Sequence, residues 1–245
     1  MIYVTGDTHG NWKSRLNGYA FPEQKQMTKD DYVIVLGDFG IWDDSDRERI
    51  NLDWLNNRNF TTLFISGNHS NYDILNALPI EQWNGGNVNF IRSNIIHLRR
   101  GQIFNIDGTT FFTFGGATSH DISDGILEVC DPRIKEWSKD PNKMFRINHK
   151  SWWKEELPSE DEIQEGICNL DDVGNKVDFV ITHCAASSTV ALLSHGLYKP
   201  DTLTDYFEEI RSKVKFKKWL FGHYHDNKAM NDKEILLYDQ IVKIA

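Results

Sequence analysis

Five short clusters of oxygen and nitrogen donors punctuate the chain: Gly6-Asp7-Thr8-His9-Gly10, Gly37-Asp38, Gly67-Asn68-His69, His183, and Gly222-His223-Tyr224-His225. Leaving His69 aside, they offer two carboxylates, one amide oxygen and four imidazoles, with no thiolate. A hard-to-borderline set of this kind suits Mn²⁺, Fe, Zn²⁺ or Ni²⁺ better than a structural zinc site or an all-oxygen Ca²⁺ site. Two cations held about 3.5–4 Å apart could share a bridging carboxylate. Asp7/His9 and His223/His225 are each spaced i, i+2, and in an extended segment such side chains point the same way. Both pairs are therefore expected to face one cavity. The neighbouring glycines permit a sharp turn and a close backbone approach to an anion.

Each cluster follows an apolar run. Ile2-Tyr3-Val4, Tyr32–Leu36, Thr62–Ile65, Phe179-Val180-Ile181 and Trp219-Leu220-Phe221 are rich in β-branched and aromatic residues. Such runs predict strands buried on both faces, each delivering a polar side chain at its C-terminal end, where ligands sit in open α/β sheets. Helices are predicted over 46–57, over 161–170 after Pro158-Ser159, and over 202–214 with Asp201 as N-cap. Residues 94–117 read as a β-meander turning at Asp107-Gly108. Residues 120–157 are less regular and read as a candidate cap inserted into one domain spanning 1–245.

The 245 residues allow one large α/β domain, and 40% hydrophobic and 26% charged residues are ordinary for a globular chain. A formal net charge of −9 argues against strong binding to duplex nucleic acid. The basic run Lys213, Lys215, Lys217, Lys218 reads as a solvated surface. Cys130, Cys168 and Cys184 form no CxxC pair and suggest a reducing, cytoplasmic setting. No apolar run is long enough to span a membrane, and the N-terminus lacks a signal-peptide pattern.

The ordered set D-x-H, GD, GNH, H, GHxH resembles the calcineurin-like metallophosphoesterase family. Gly10 is similar to the branch of phosphoprotein phosphatases and diadenosine tetraphosphatases, while Gly67–Asp73 and Phe114–Ala117 look closest to bacterial and phage members. The resemblance implies a four-layer α/β/β/α sandwich, with the meander and 234–244 supplying much of the second sheet. It implies one metal on Asp7, His9 and His225, a second on Asn68, His183 and His223, and Asp38 bridging both. By the same resemblance a metal-bridging hydroxide attacks a phosphate mono- or diester, Mn²⁺ is the leading cation, and His69 acts as general acid. The substrate would be a small phosphorylated molecule, a nucleotide, dinucleotide or cyclic nucleotide among the alternatives. A non-catalytic scaffold is the remaining reading, against which stands the full set of ligands.

Two departures from the phosphoprotein phosphatases stand out. Ile41 occupies the place of the acid that orients their histidine, and Ser70 replaces an acid after GNH. Asp43 and Asp44 read as a helix-start cluster. Arg92 and His120 are candidate substrate contacts, alongside Arg99 and Arg100. His97 reads as structural, Cys184 and Trp152-Trp153 as packing, and His149 and His195 stand outside any motif.

Overall fold

A computed structural model describes residues 1–245. The first half runs β1 (Ile2–Thr5), α1 (Trp12–Arg15), β2 (Tyr32–Val35), α2 (Asp46–Asn56), β3 (Thr61–Phe64), α3 (Tyr72–Ala77), β4 (Glu81–Trp83), β5 (Gly86–Arg92), β6 (Ile95–Leu98), β7 (Gln102–Ile106) and β8 (Thr109–Phe114). It continues through β9 (Gly125–Leu127), α4 (Ile134–Trp137), β10 (Phe145–Ile147), α5 (Glu160–Asp172), β11 (Phe179–Thr182), α6 (Ser187–Leu193) and α7 (Thr202–Lys213). The chain ends with β12 (Lys218–Phe221), β13 (Lys228–Ala229), β14 (Glu234–Leu236) and β15 (Ile241–Lys243).

Two large sheets result, ordered β15-β1-β2-β3-β6-β5-β4 and β13-β14-β12-β11-β8-β7, beside a two-stranded one of β9 and β10. Strands β1, β2, β3 and β6 are parallel, with Val4, Ile34, Leu63 and Ile96 in register. In the second sheet β8, β11, β12 and β14 are parallel. Strands β1, β3 and β11 are buried at every position, as their unbroken apolar runs demand.

Three apolar clusters mark the layer boundaries. The middle one joins Ile34, Leu63 and Ile96 of the first sheet to Phe104, Phe111, Ile181 and Leu220 of the second. A second places Leu16, Leu52, Leu55 and Leu75 under the outer face of the first sheet. A third places Leu170, Val190, Leu203, Phe207 and Ile210 over the outer face of the second. The architecture is therefore the four-layer α/β/β/α sandwich. Each fully buried aliphatic side chain contributes roughly 1.5–3 kcal/mol relative to exposure.

Helix starts follow local chemistry. Ser45 Oγ accepts from Glu48 N, Ser159 and Glu162 form a capping box, and Asp201 accepts from Leu203 N and Thr204 N. Lys217, just before β12, pairs with Asp178, at the opposite end of the strand from Gly222.

The meander needs correcting. Its strands form, and Asp107 and Gly108 both take positive φ at the hairpin turn. However, β6 pairs with β3 and β5 in the first sheet, while β7 and β8 belong to the second. The crossing occurs at 99–101, where Gly101 adopts φ +71°. All four residues of β6 are buried, so a site between two neighbours suits it better than a hairpin edge. The C-terminal segment also divides, β14 joining the second sheet and β15 pairing antiparallel with β1. The β4–β5 hairpin was not anticipated, although Asn84-Gly85 at its turn is a recognised hairpin signal.

Residues 120–157 carry the parallel pair β9–β10 and α4. Arg100 fastens this segment from beneath. Its guanidinium donates to the carbonyls of Gly115, Glu155, Glu156 and Leu157 and to Tyr72 Oη. On the other side Trp153 Nε1 donates to Asp73 of α3 at 2.7 Å. No helix is long and apolar enough to cross a membrane.

Candidate metal centre

The five clusters sit just beyond the C-terminal ends of β1, β2, β3, β11 and β12, and short bonds within the first sheet and between the two sheets bring them together. His223 N donates to Asp7 Oδ1 at 3.0 Å, His69 N donates to Asp38 Oδ1 at 2.8 Å, and His183 Nδ1 lies 2.7 Å from Leu36 O. The route of convergence differs from the extended one anticipated. His9, Asp38, His223 and His225 take φ of +45°, +42°, +71° and +49°. A non-glycine residue in this left-handed region carries strain, which functional sites hold because the surroundings fix it. The tight left-handed turn, rather than strand alternation, aims these side chains inward.

Gly37 shows how little space remains. It adopts φ +98°, and a Cβ there would lie 2.1 Å from His183 Nδ1.

Two overlapping groups of donors result. Asp7, His9 and His225 have ligand atoms within 4.8 Å of one another, and so do Asp7, Asp38 and His183. His9 Nε2 and His225 Nε2 are 3.1 Å apart. His183 Nε2 is 3.2 Å from Asn68 Oδ1 and 3.4 Å from Asp38 Oδ2.

The donor set fits a cation. Asp7 Oδ2 is fully buried and receives no well-aligned hydrogen bond; its polar neighbours are His225 Nε2 at 3.1 Å, an imidazole whose pKa the contact with Asp7 raises, and His9 Nε2 at 3.9 Å. An orphaned buried carboxylate oxygen is costly unless a positive charge meets it. The second group makes the same point. With His183 Nδ1 donating to Leu36 O, a neutral His183 turns its Nε2 lone pair toward the Asn68 and Asp38 oxygens. Three acceptors then face one another, and a proton or a metal must lie among them. Burial pulls His183 down, but Asp38 and Asp7 outweigh it and lift it up to about 9. Burial opposes ionisation of Asp38 too, yet His183, His69 and His9 hold it well below the carboxylate range. Burial lowers His9 and His223, which favours imidazoles with free lone pairs.

Further residues support the ligands. Asn68 Nδ2 donates to Ser119 Oγ at 3.3 Å, and Ser119 donates its hydroxyl and backbone N–H to the buried Glu156 carboxylate at 2.6 and 3.0 Å. His120 Nε2 lies 3.2 Å from His223 Nε2, and its ring stacks on Tyr198 with centroids 4.0 Å apart. His69 stands edge-on to both His9 and Trp42, at centroid distances of 5.5 and 6.2 Å. Ser119, Glu156, Trp42 and Tyr198 were not singled out as site residues from the sequence. Ser119 and Trp42 stand close in sequence to His120 and Asp38, a signal that was available; Glu156 and Tyr198 have no motif around them.

Other candidates fall elsewhere. Arg92 must be withdrawn as a substrate contact. It lies at the end of β5 beside the start of β6, at the opposite end of the sheet, and donates to Asp53 at 2.7 Å. Arg99 donates to Asn89 Oδ1, and Arg100 is spent on the segment it fastens. Asp43 and Asp44 are exposed at the start of α2, Asp44 paired with Arg49. His97 is buried against Asn89, and Cys184 is buried in the core beneath α6 and α7. His149 pairs with Asp73, while His195 lines a groove beside Tyr198.

Residues 1–227 match the family described as calcineurin-like phosphoesterase. The fold is similar to the crystal structure of phosphopantetheinyl hydrolase (PptH) from Mycobacterium tuberculosis, at 14% sequence identity and a TM-score of 0.41, over 97% of this chain and 87% of that one. No curated protein matches the sequence.

Proposed function

The chain belongs to the calcineurin-like phosphoesterase family and is a metal-dependent hydrolase acting on phosphoesters; from that premise we propose a dinuclear site that cleaves a small phosphate mono- or diester. In this reading Asp7, His9 and His225 hold one divalent cation. Asn68, His183 and His223 would hold the other, with Asp38 offering its carboxylate to the same centre. When bound, the cations supply an acidified water and positive charge against the phosphoryl oxygens. Mn²⁺ leads among the metals because the donors mix carboxylate, amide and imidazole without thiolate.

The protein's own groups do the rest. The left-handed turns at His9, His223 and His225 preset the ligands, and Asp38 carries its charge in a buried position. His69, anchored through its backbone N–H to Asp38 and packed against Trp42, delivers a proton to the leaving oxygen. Residues 120–157 act as a cap, through Ser119 and His120 at its threshold. Free Cys130, Cys168 and Cys184 suit a reducing cytoplasm.

The observation that carries this reading is the buried Asp7 carboxylate, whose Oδ2 has no well-aligned donor and faces the imidazole nitrogens of His225 and His9. The test is metal analysis of the purified protein together with a screen of p-nitrophenyl phosphate, bis-p-nitrophenyl phosphate, cyclic nucleotides and dinucleotides with added Mn²⁺. Two equivalents of metal and metal-dependent turnover are expected. Protein that holds no metal and cleaves nothing would leave the scaffold reading.

A further inference from the structure

Among the phenylalanine, tyrosine and tryptophan side chains three are exposed: Tyr19, Trp42 and Tyr198. Two of the three stand beside the metal centre, on different flanks. Trp42, 37% exposed, lies parallel to the His9 ring within 3°, at a centroid distance of 6.4 Å. It forms one wall of a groove of about 260 Å³ that also holds Arg47. Tyr198, 39% exposed, stacks on His120, whose Nε2 touches His223. It forms a wall of a second groove, of about 480 Å³, that also holds His225 and Lys228. The two grooves share no residue, and each opens from a candidate metal ligand.

Exposed, ring-backed aromatic faces cost apolar surface in water and bind planar groups well; stacking of a base on such a face is sequence-tolerant and strong. A monoester needs one such platform at most, because only one organic group hangs from its phosphorus. We infer that the substrate is a phosphodiester with a planar, nucleoside-sized group on each side of the scissile phosphate, one against Trp42 and the other against Tyr198. This rests on the phosphoesterase reading above.

The placement of His69 assigns the two groups. It packs on Trp42 and not on Tyr198, so the group on Trp42 leaves. Water oxygen bonds to phosphorus, the phosphorus–oxygen bond to that group breaks, and its oxygen takes a proton. The products are a free alcohol and a phosphomonoester still lying on Tyr198.

The test compares Mn²⁺-loaded wild type with Trp42→Ala and Tyr198→Ala on three probes: bis-p-nitrophenyl phosphate, methyl p-nitrophenyl phosphate and p-nitrophenyl phosphate. Both diesters expel nitrophenolate, but only the first retains an aromatic group. Tyr198→Ala should lose about tenfold in kcat/KM on the bis-aryl diester, and at least severalfold less on the methyl diester. Trp42→Ala should lose comparably on both diesters, and Tyr198→Phe should restore the bis-aryl rate. Equal losses for Tyr198→Ala on both diesters, or none on either, would overturn the inference. Cleavage of the monoester alone would overturn it and leave the phosphoesterase reading standing; cleavage of no probe would remove both.

Discussion

The Asn68 side-chain amide donates to the Ser119 hydroxyl, and this bond turns Asn68 Oδ1 toward His183 Nε2, 3.2 Å away. Ser119 has no freedom of its own, since Glu156 takes both its hydroxyl and its backbone N–H. A buried acid from the far end of the 120–157 segment thus decides which end of an amide faces the candidate second metal.

Ser119→Ala and Glu156→Gln should therefore weaken the second cation about 10–100-fold, the range seen for outer-shell partners of metal ligands. Titration of metal-free protein with Mn²⁺ by calorimetry should show one site unchanged and one weakened. Ser119→Thr keeps the hydroxyl and should stay near wild type. Identical isotherms for Ser119→Ala and wild type would dismiss the relay.

His69 and Asp38 should separate catalysis from metal binding. His69 belongs to neither donor group, whereas Asp38 lies in one of them. His69→Ala should cut turnover about 10²–10⁴-fold with metal content nearly intact. Asp38→Asn should lower both. Equal metal loss in the two variants would contradict this division of roles.

The strand-end pattern was legible because it is local: an apolar run, a glycine and a donor lie within a few residues of one another. The three apolar clusters likewise follow from runs such as Val33–Leu36 and from helical faces such as Leu203, Phe207 and Ile210. What was not legible depends on distant pairing. Nothing in Ile95–Leu98 says that it will sit beside β3 while its neighbour β7 joins the other sheet. Arg92 resembles an anion contact until Asp53, 39 residues away, is found beside it. The Ser119–Glu156 pair spans 37 residues of weakly patterned chain. The left-handed turns at His9 and His223 were hidden because i, i+2 spacing fits a strand equally well.

Gly37→Ala should be disruptive despite its small size. The added methyl would sit 2.1 Å from His183 Nδ1, and φ of +98° is poorly accessible to alanine. His183 cannot retreat without leaving Leu36 O and Asn68. Thermal unfolding should show a lowered Tm, and metal analysis a loss of bound cation. A variant matching wild type in both would mean that the β2 turn is more compliant than its packing suggests.

Stability should fall in mild acid through His97. Its Nδ1 lies 3.1 Å from Asn89 Oδ1, its ring stacks on Phe64, and its Nε2 is buried without a partner. Burial, with help from Arg99 and Arg100, lowers it from 6.5 to about 3. Below 6.5 the unfolded chain binds this proton and the folded one does not, so folding loses free energy as pH drops from about 6.5 toward 3. The slope from this one group is at most about 1.4 kcal/mol per pH unit. His97→Gln keeps a donor toward Asn89 and removes the titration. Urea unfolding in chelator at several pH values between 7 and 4 should therefore show a shallower acid loss for the variant, by up to about one proton. Carboxylates and the remaining histidines titrate in both proteins and largely cancel in the difference. Parallel pH curves would mean that His97 takes up its proton in the folded state, with a water or a shifted Arg99 relieving the charge.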